Sequence, residues 1–457
     1  MLMLALLAAL SASPRPALSI RPDDEAAAIQ WFDASAHGFT SESPPTDELS
    51  PLVARLAGAE IVGVGEVTHG DHEDQAFKAE LIKALVLKGQ TQVLVLESNR
   101  QVGADLDAYI DGKGGDLPAL LRSPSFFRTW RTDEFAGLIL WLRAYNVQAE
   151  QPVHIVAVDV QDPGADADLA LRFVAARDPA AANRLRPAFA GLSPGAGAQR
   201  FAPWQASVDK PRYVAAMQAS VRLEALFQTH KAQWANSPDY ADAAYAARTA
   251  RQAFDAFELD NKRGDADAAG LAYYGRRDRF MAANALDRLK GRTGVLWAHD
   301  MHVIGDIPAS DGWPSGYTWM GRELRRSLGD RYMTVDFSWS TGAFRAQTGS
   351  ADIGADVLKR TALVPQTLPN DLPQDLGGVL EKVKLDRFWV DLRSLPAQPW
   401  AVRFSSTPYY RGWPGWAIDP NHWNDGVSDH ASLRPGTDIL VWFRRITPSH
   451  FLPGDDF

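Results

Sequence analysis

Between Glu60 and Glu73 the chain reads Glu-Ile-Val-Gly-Val-Gly-Glu-Val-Thr-His-Gly-Asp-His-Glu, which crowds Glu66, His69 and His72 into one turn. A histidine held by a carboxylate can take a proton near neutral pH, because the acid fixes the ring tautomer and supports the imidazolium. Glu97 closes a second apolar run, and the pair His299 and His302 follows a third. With Arg277 as a cation for a developing oxyanion, the set suits activation of water against a carbonyl, the hydrolysis of an ester or amide. The one Gly-x-Ser-x-Gly match, Gly191-Leu-Ser-Pro-Gly195, falls in alanine-rich, strand-poor sequence rather than after a strand, and there is no cysteine, so covalent routes lack a nucleophile of recognisable context. Direct attack by water, without a cofactor, is the economical inference.

Other readings use the same residues. His69-x-x-His72 and His299-x-x-His302, with Glu66, Glu97 and Asp300, supply enough imidazole and carboxylate for zinc or manganese. A protein that binds a small apolar or haem-like ligand without turnover could use the histidines as ligands. The plainest alternative is a capped loop, with Thr68 or Asp71 as N-cap of the helix that follows.

The elements that must position these groups alternate. Ile61 to Val64 reads as a buried strand, and His72 to Lys88 as an amphipathic helix stopped by Gly89. Thr91 to Glu97 is a second strand, halted by its carboxylate, so the crossover makes the two parallel and brings Glu97 to the edge that carries Glu66 and His69. Asp133 to Gln148 is a helix and Val153 to Val158 a strand ending at Asp159, a site acid or a cap. Asp111-Gly-Lys-Gly-Gly-Asp116 is a turn, lacking the preceding strand and the Lys-Ser/Thr pair of a phosphate loop. Arg276, Arg277 and Arg279 open a helix to Leu289, Thr293 to His302 is an apolar strand that ends in the paired histidines, and Arg331 to Ser338 is another strand. The remainder, with Asp386 to Leu392, Trp400 to Phe404 and Asp438 to Phe443, reads as mostly β. Tyr409 to Trp416 is an aromatic-rich loop.

The expected class is α/β: a mostly parallel sheet with flanking helices, a helical insertion, and a β-rich C-terminal portion. The expected division is a leader over 1–20, a first half of the core over 21–178, an alanine-rich helical insertion over 179–270, and the second half over 271–457. Residues 1–10 are apolar and small residues follow, which suits a signal peptide, although no basic residues precede the run. Export to the periplasm or outside the cell is therefore expected. No later run is apolar enough to cross a membrane. A formal net charge of -9 argues against nucleic acid or an anionic membrane as partner. A small-molecule ester remains as the expected partner.

The motifs taken together resemble the erythromycin esterase family. The resemblance rests on Gly65-Glu-Val-Thr-His-Gly-x-His-Glu73, the strand end at Glu97, Trp141-Leu-Arg-x-Tyr-Asn146, Arg277-Asp-x-x-Met281 with Asn284, Trp297-Ala-His-x-x-His302, and Met320-Gly-x-x-Leu324. It spans roughly Ala59 to Phe344 and implies a helical subdomain over a deep cleft, with metal-independent hydrolysis of a macrolide lactone. By that likeness His69 is the water-activating base and Glu66, Glu97 and His299 its essential partners. Arg277 is implied near the substrate, as are Lys78, His72 and His302. Val67 departs from the usual small Ala of the motif, Lys78 from the frequent Arg, and Asp300 from the common Asn. Lysine keeps the charge but not the planar fork of arginine.

Overall fold

The computed structural model describes residues 20–192, 204–205, 207–256, 266–308, 318–348, 363–367, 375–415, 417–418 and 430–454. The leader-like segment lies almost wholly outside them. The strands are β1 (Ile61–Val64), β2 (Val93–Asn99), β3 (His154–Asp159), β4 (Gly294–Trp297), β5 (Tyr332–Thr348), β6 (Leu363–Thr367), β7 (Arg387–Asp391) and β8 (Ile439–Ile446). Across the sheet the order is His37–Gly38, β7, β8, β5, β1, β4, β2, β3. From β8 to β3 the strands are parallel. Among the described residues of this sheet, β7, its edge neighbour His37–Gly38, and β6 against the far half of β5 run antiparallel.

β1 and β2 are not neighbours: β4 lies between them. Both pair with β4 in one register, so that Val64 and Leu96 each face Trp297. The residues just beyond, Gly65 and Glu66, Glu97, and Ala298 and His299, are thereby brought level at the carboxyl edge. Every residue of β1, β2 and β4 is buried. This is why they read as unbroken apolar runs rather than alternating ones.

Helices cover both faces: α1 (Pro22–Ser35), α2 (Thr46–Arg55), α3 (His72–Leu87), α4 (Arg100–Ile110), α5 (Asp133–Asn146), α6 (Pro163–Ala175), α7 (Lys210–Thr229), α8 (Tyr240–Ala256), α9 (Ala266–Leu289), α10 (Met320–Leu328) and α11 (Pro399–Ser405). Asp71 caps α3 by accepting from the Asp74 amide at 2.6 Å, and Thr132 caps α5 by accepting from the Phe135 amide at 3.2 Å. Leu171 and Phe173 of α6 pack with Tyr213 and Leu223 of α7 and Phe254 of α8 in an apolar cluster separate from that under the sheet.

Two expectations are corrected here. Trp400 to Phe404 is helix, not strand: Pro399 occupies the first turn of α11, where its missing N–H costs nothing. Arg277 does not open its helix, since α9 starts at Ala266 and Arg277 lies three turns in. As part of the second half of the core, β5 and β8 extend the parallel sheet itself. No described helix is long and apolar enough to cross a membrane.

Candidate active site

Glu66 is fully buried beyond the end of β1, and three side chains donate to it. Its Oε1 accepts from His69 Nδ1 at 2.6 Å and from Trp130 Nε1 at 3.0 Å, and its Oε2 accepts from Lys78 Nζ at 2.7 Å. Burial works against the charged carboxylate, but the Lys78 ammonium and the His69 hydrogen bond outweigh it and hold the Glu66 pKa below its ordinary value. A carboxylate can only accept, so His69 carries its proton on Nδ1. Its Nε2 makes no hydrogen bond among the described residues, and its side chain keeps 12% of its surface exposed. The backbone fixes this loop closely. A Cβ on Gly65 would lie 1.7 Å from Asp300 Oδ1, and one on Gly70 would lie 1.8 Å from the Arg345 carbonyl oxygen. Glycine is thus required at both positions by close approach.

Behind His69 a second charged group spans β2, β3, α9 and the turn after β4. Arg277 donates from Nε and Nη2 to Asp159 at 2.8 Å each, and from Nη2 to Glu97 Oε1 at 2.7 Å. Glu97 Oε2 accepts from the His299 backbone amide at 3.0 Å. His302 sits between Asp278, 2.7 Å from Nδ1, and Glu97, 3.1 Å from Nε2. Burial opposes its protonation, yet the two carboxylates prevail and push its pKa up to about 10. Its Nε2 also lies 3.1 Å from Arg277 Nη1, a contact of two cations that Glu97, Asp159 and Asp278 offset. Glu97 is held well below the usual carboxylate range, because His302 and Arg277 overcome its burial.

His299 is the opposite case. Burial, then the nearby His69 and His302, drive its pKa down to about 3, so the ring is neutral. Its Nε2–H donates to the Val67 carbonyl at 2.9 Å, and its Nδ1 accepts from the Met301 amide at 3.2 Å. The ring centroid lies 5.1 Å from that of His69. His299 therefore ties the Val67 backbone, and with it the His69 loop, to the turn beyond β4.

The structure brings Glu66, His69, Glu97, Arg277, His299 and His302 to one edge of the sheet. Lys78, expected against the substrate, is placed otherwise. It is wholly buried on the inner face of α3, with its ammonium 4.2 Å from the Trp297 ring centroid, and it positions Glu66 from beneath. Arg277 is likewise 3% exposed, with Nε and Nη2 on Asp159 and Glu97 and Nη1 beside His302, so it lies behind Glu97 and His302. His72 leaves the cluster altogether: its Nδ1 lies 2.5 Å from Glu134. Asp159 belongs to the site. Trp130 and Asp278 join the site as well. Asp278 lies beside Arg277 in the Arg277-Asp-x-x-Met281 stretch, whereas nothing near Trp130 in the sequence marks it. A cleft of about 390 Å³ lined by Arg100, Lys113, His154 and Arg288 opens by the start of β3, away from the carboxyl edge, and holds none of these residues.

The fold and the cluster define an α/β protein with its reactive groups in the loops beyond the carboxyl ends of a parallel sheet. The erythromycin esterase profile matches residues 88–446, and the chain belongs to the erythromycin esterase family. That match contains Glu97, Arg277, His299 and His302 and begins after the Glu66–His69 loop. A protein from Bacillus cereus of known structure is 22% identical, with a TM-score of 0.78 over 94% of this chain and 99% of that one. A succinoglycan biosynthesis protein is 19% identical, with a TM-score of 0.75 over 94% and 100%. A mutant of the erythromycin esterase EreC in its open conformation is 15% identical, with a TM-score of 0.66 over 90% and 98%. At such identities the likeness shows the shared fold. Family membership supports a hydrolase acting on a small molecule.

Proposed function

We propose that this protein hydrolyses an ester or lactone of a small molecule by direct attack of water, with His69 as the general base. The observation that carries the proposal is the Glu66–His69 pair. Glu66 fixes Nδ1 as the protonated nitrogen at 2.6 Å and leaves the Nε2 lone pair unengaged among the described residues. Nε2 takes a proton from water as the water oxygen attacks the carbonyl carbon, and Glu66 supports the imidazolium that forms. The same proton then passes to the departing alkoxide, which leaves a carboxylic acid and an alcohol. His302, charged at neutral pH and partly exposed, supplies positive potential for the oxyanion of the tetrahedral intermediate.

The donor set favours this over a metal at the same edge. His299 has both ring nitrogens hydrogen-bonded, and His302 has a carboxylate against each. His69 alone of the three presents an unengaged nitrogen. The test is mass spectrometry of erythromycin and a panel of small esters incubated with the purified protein and with His69→Ala. Addition of one water to a substrate, reduced about 10²–10⁴-fold in the variant, is the expected result. Undiminished turnover in the variant would remove His69 from the role. Turnover of a simple ester but not of the macrolide would retain the mechanism and exclude that substrate.

A further inference from the structure

Away from the hydrolytic cluster, His72 at the start of α3, Glu134 in the first turn of α5 and His450 in the C-terminal segment converge. Each offers one ligand atom, and these atoms lie within 4.8 Å of one another. Glu134 Oε1 is 2.5 Å from His72 Nδ1 and 3.0 Å from His450 Nδ1, and the two rings are 4.5 Å apart. Two neutral imidazoles and a carboxylate are a favoured donor set for zinc and similar ions.

We propose that His72, Glu134 and His450 form a binding site for a divalent transition-metal ion of the zinc type. A second observation points to a ligand. The Glu134 side chain is 4% exposed, and its other oxygen, Oε2, is buried without a hydrogen-bond partner. Oε1, which faces the imidazoles, already accepts from the His450 amide at 3.1 Å, so it is an ion engaging Glu134 through both oxygens that would remove the cost of the unpaired Oε2. At about 2.0–2.2 Å from each ligand atom, zinc needs Glu134 Oε1 further from the two Nδ1 atoms than it stands here, a change within reach of side-chain rotation. Glu42 Oε1 stands 4.0 Å from His72 Nε2, on the ring edge opposite the ion. It is placed to accept from that N–H and orient the ring, as carboxylates commonly do behind metal-bound histidines. Three protein donors leave the fourth tetrahedral position to water.

The site joins distant parts of the chain. The C-terminal segment lies along the starts of α3 and α5 through backbone bonds from His72 N–H to the Thr447 carbonyl (2.8 Å), Asp133 N–H to the His450 carbonyl (2.8 Å) and Leu452 N–H to the Arg131 carbonyl (3.0 Å). An ion here clips that segment in place, so it stabilises the folded chain by mass action. The inference stands independently of the hydrolytic reading, since it shares no ligand with it.

The experiment uses the full chain without a polyhistidine tag, stripped with chelator and dialysed. Zinc chloride alone is titrated by calorimetry, with bound zinc counted by plasma mass spectrometry and melting followed in parallel. About one zinc per chain and a raised melting temperature are expected, as for a single three-ligand site. His450→Ala, at a side chain 60% exposed and so safe for the fold, should lose the tight binding and the melting shift. Glu134→Gln, which keeps the shape, should do the same. His69→Ala should keep both. No saturable zinc uptake, or uptake that survives His450→Ala and Glu134→Gln, would overturn the site. Uptake lost in His69→Ala but kept in His450→Ala would overturn it equally, by assigning the ion to the other cluster.

Discussion

Glu66 is satisfied by three donors at once, and only one of them, His69, reaches out of the protein. The other two decide what that pair can do. Without Lys78 the carboxylate would be a buried charge short of its main counter-ion, and it would take a proton more readily. Lys78→Met is therefore expected to lower stability by about 3–5 kcal/mol, the usual cost of breaking a buried ion pair from one side. Denaturant unfolding measures it. Hydrolysis should fall with it, because a protonated Glu66 no longer supports the His69 imidazolium. Adding Glu66→Gln to Lys78→Met removes the orphaned charge, so the double variant should recover much of the stability and none of the activity. Stability restored together with activity would show that Glu66 is merely structural. At this scale the sequence was legible where a residue type has few uses in a turn. Glu66, His69 and His299 stood out because carboxylate and imidazole at the end of an apolar run have little packing value. Lys78 was legible as a charge but not in its direction, which depends on the face of α3 that it occupies. Trp130 was not legible, since a tryptophan that donates from Nε1 reads like any other packed ring.

The loop from Gly65 to Asp71 works as an element because its backbone is fastened on several sides. Gln75 donates to the His69 carbonyl at 2.9 Å and accepts from the Thr132 hydroxyl at 2.7 Å, which couples the loop to the cap of α5. The Gly70 carbonyl accepts from the Arg345 and Ser449 amides at 2.9 Å each, which ties it to β5 and the C-terminal segment. Gly70→Ala would drive a Cβ against the Arg345 backbone, where no side chain can swing aside. The expected result is a loss of about 1–3 kcal/mol, typical of overpacking, with a fall in kcat larger than any change in KM as His69 shifts from its place. A variant with wild-type melting and wild-type kcat would show that the loop tolerates displacement. The strand, loop and helix order around this turn was readable because apolar runs, cap residues and Gly89 all agree. The position of β4 between β1 and β2 was not, because strand order depends on pairings made over two hundred residues away. Trp400 to Phe404 misled for a different reason: a short run rich in β-branched and aromatic residues fits strand or buried helix alike, and only the preceding proline favours the helix.

At the scale of the whole molecule, the charged groups under the carboxyl edge make stability depend on pH. Asp71, Asp74, Asp300 and Asp336 are fully buried near one another, and burial, with the neighbouring acids adding to it, raises their pKa values. His302 contributes in a window that can be stated. Its pKa is raised from 6.5 to about 10 on folding, so the unfolded chain loses this proton first. The stabilisation is fully present below about pH 6.5 and is lost as pH rises through about 10, with a slope of at most about 1.4 kcal/mol per pH unit. The raised acids have the same sign, since each holds a proton in the folded state that the unfolded chain has released. Stability should therefore decline from neutral towards alkaline pH. In His302→Gln it should decline less steeply between pH 6.5 and about 10, although the variant starts lower for want of a cation beside Glu97 and Asp278. Urea midpoints at intervals across that window give both slopes, and parallel curves for the two proteins would show that His302 is not the group that holds the proton. The charge on this histidine links stability to the proposed reaction, because the proton that steadies Glu97 and Asp278 also supplies the positive potential for the oxyanion. Hydrolysis should accordingly fail on the alkaline side over the same window in which the fold loses this support.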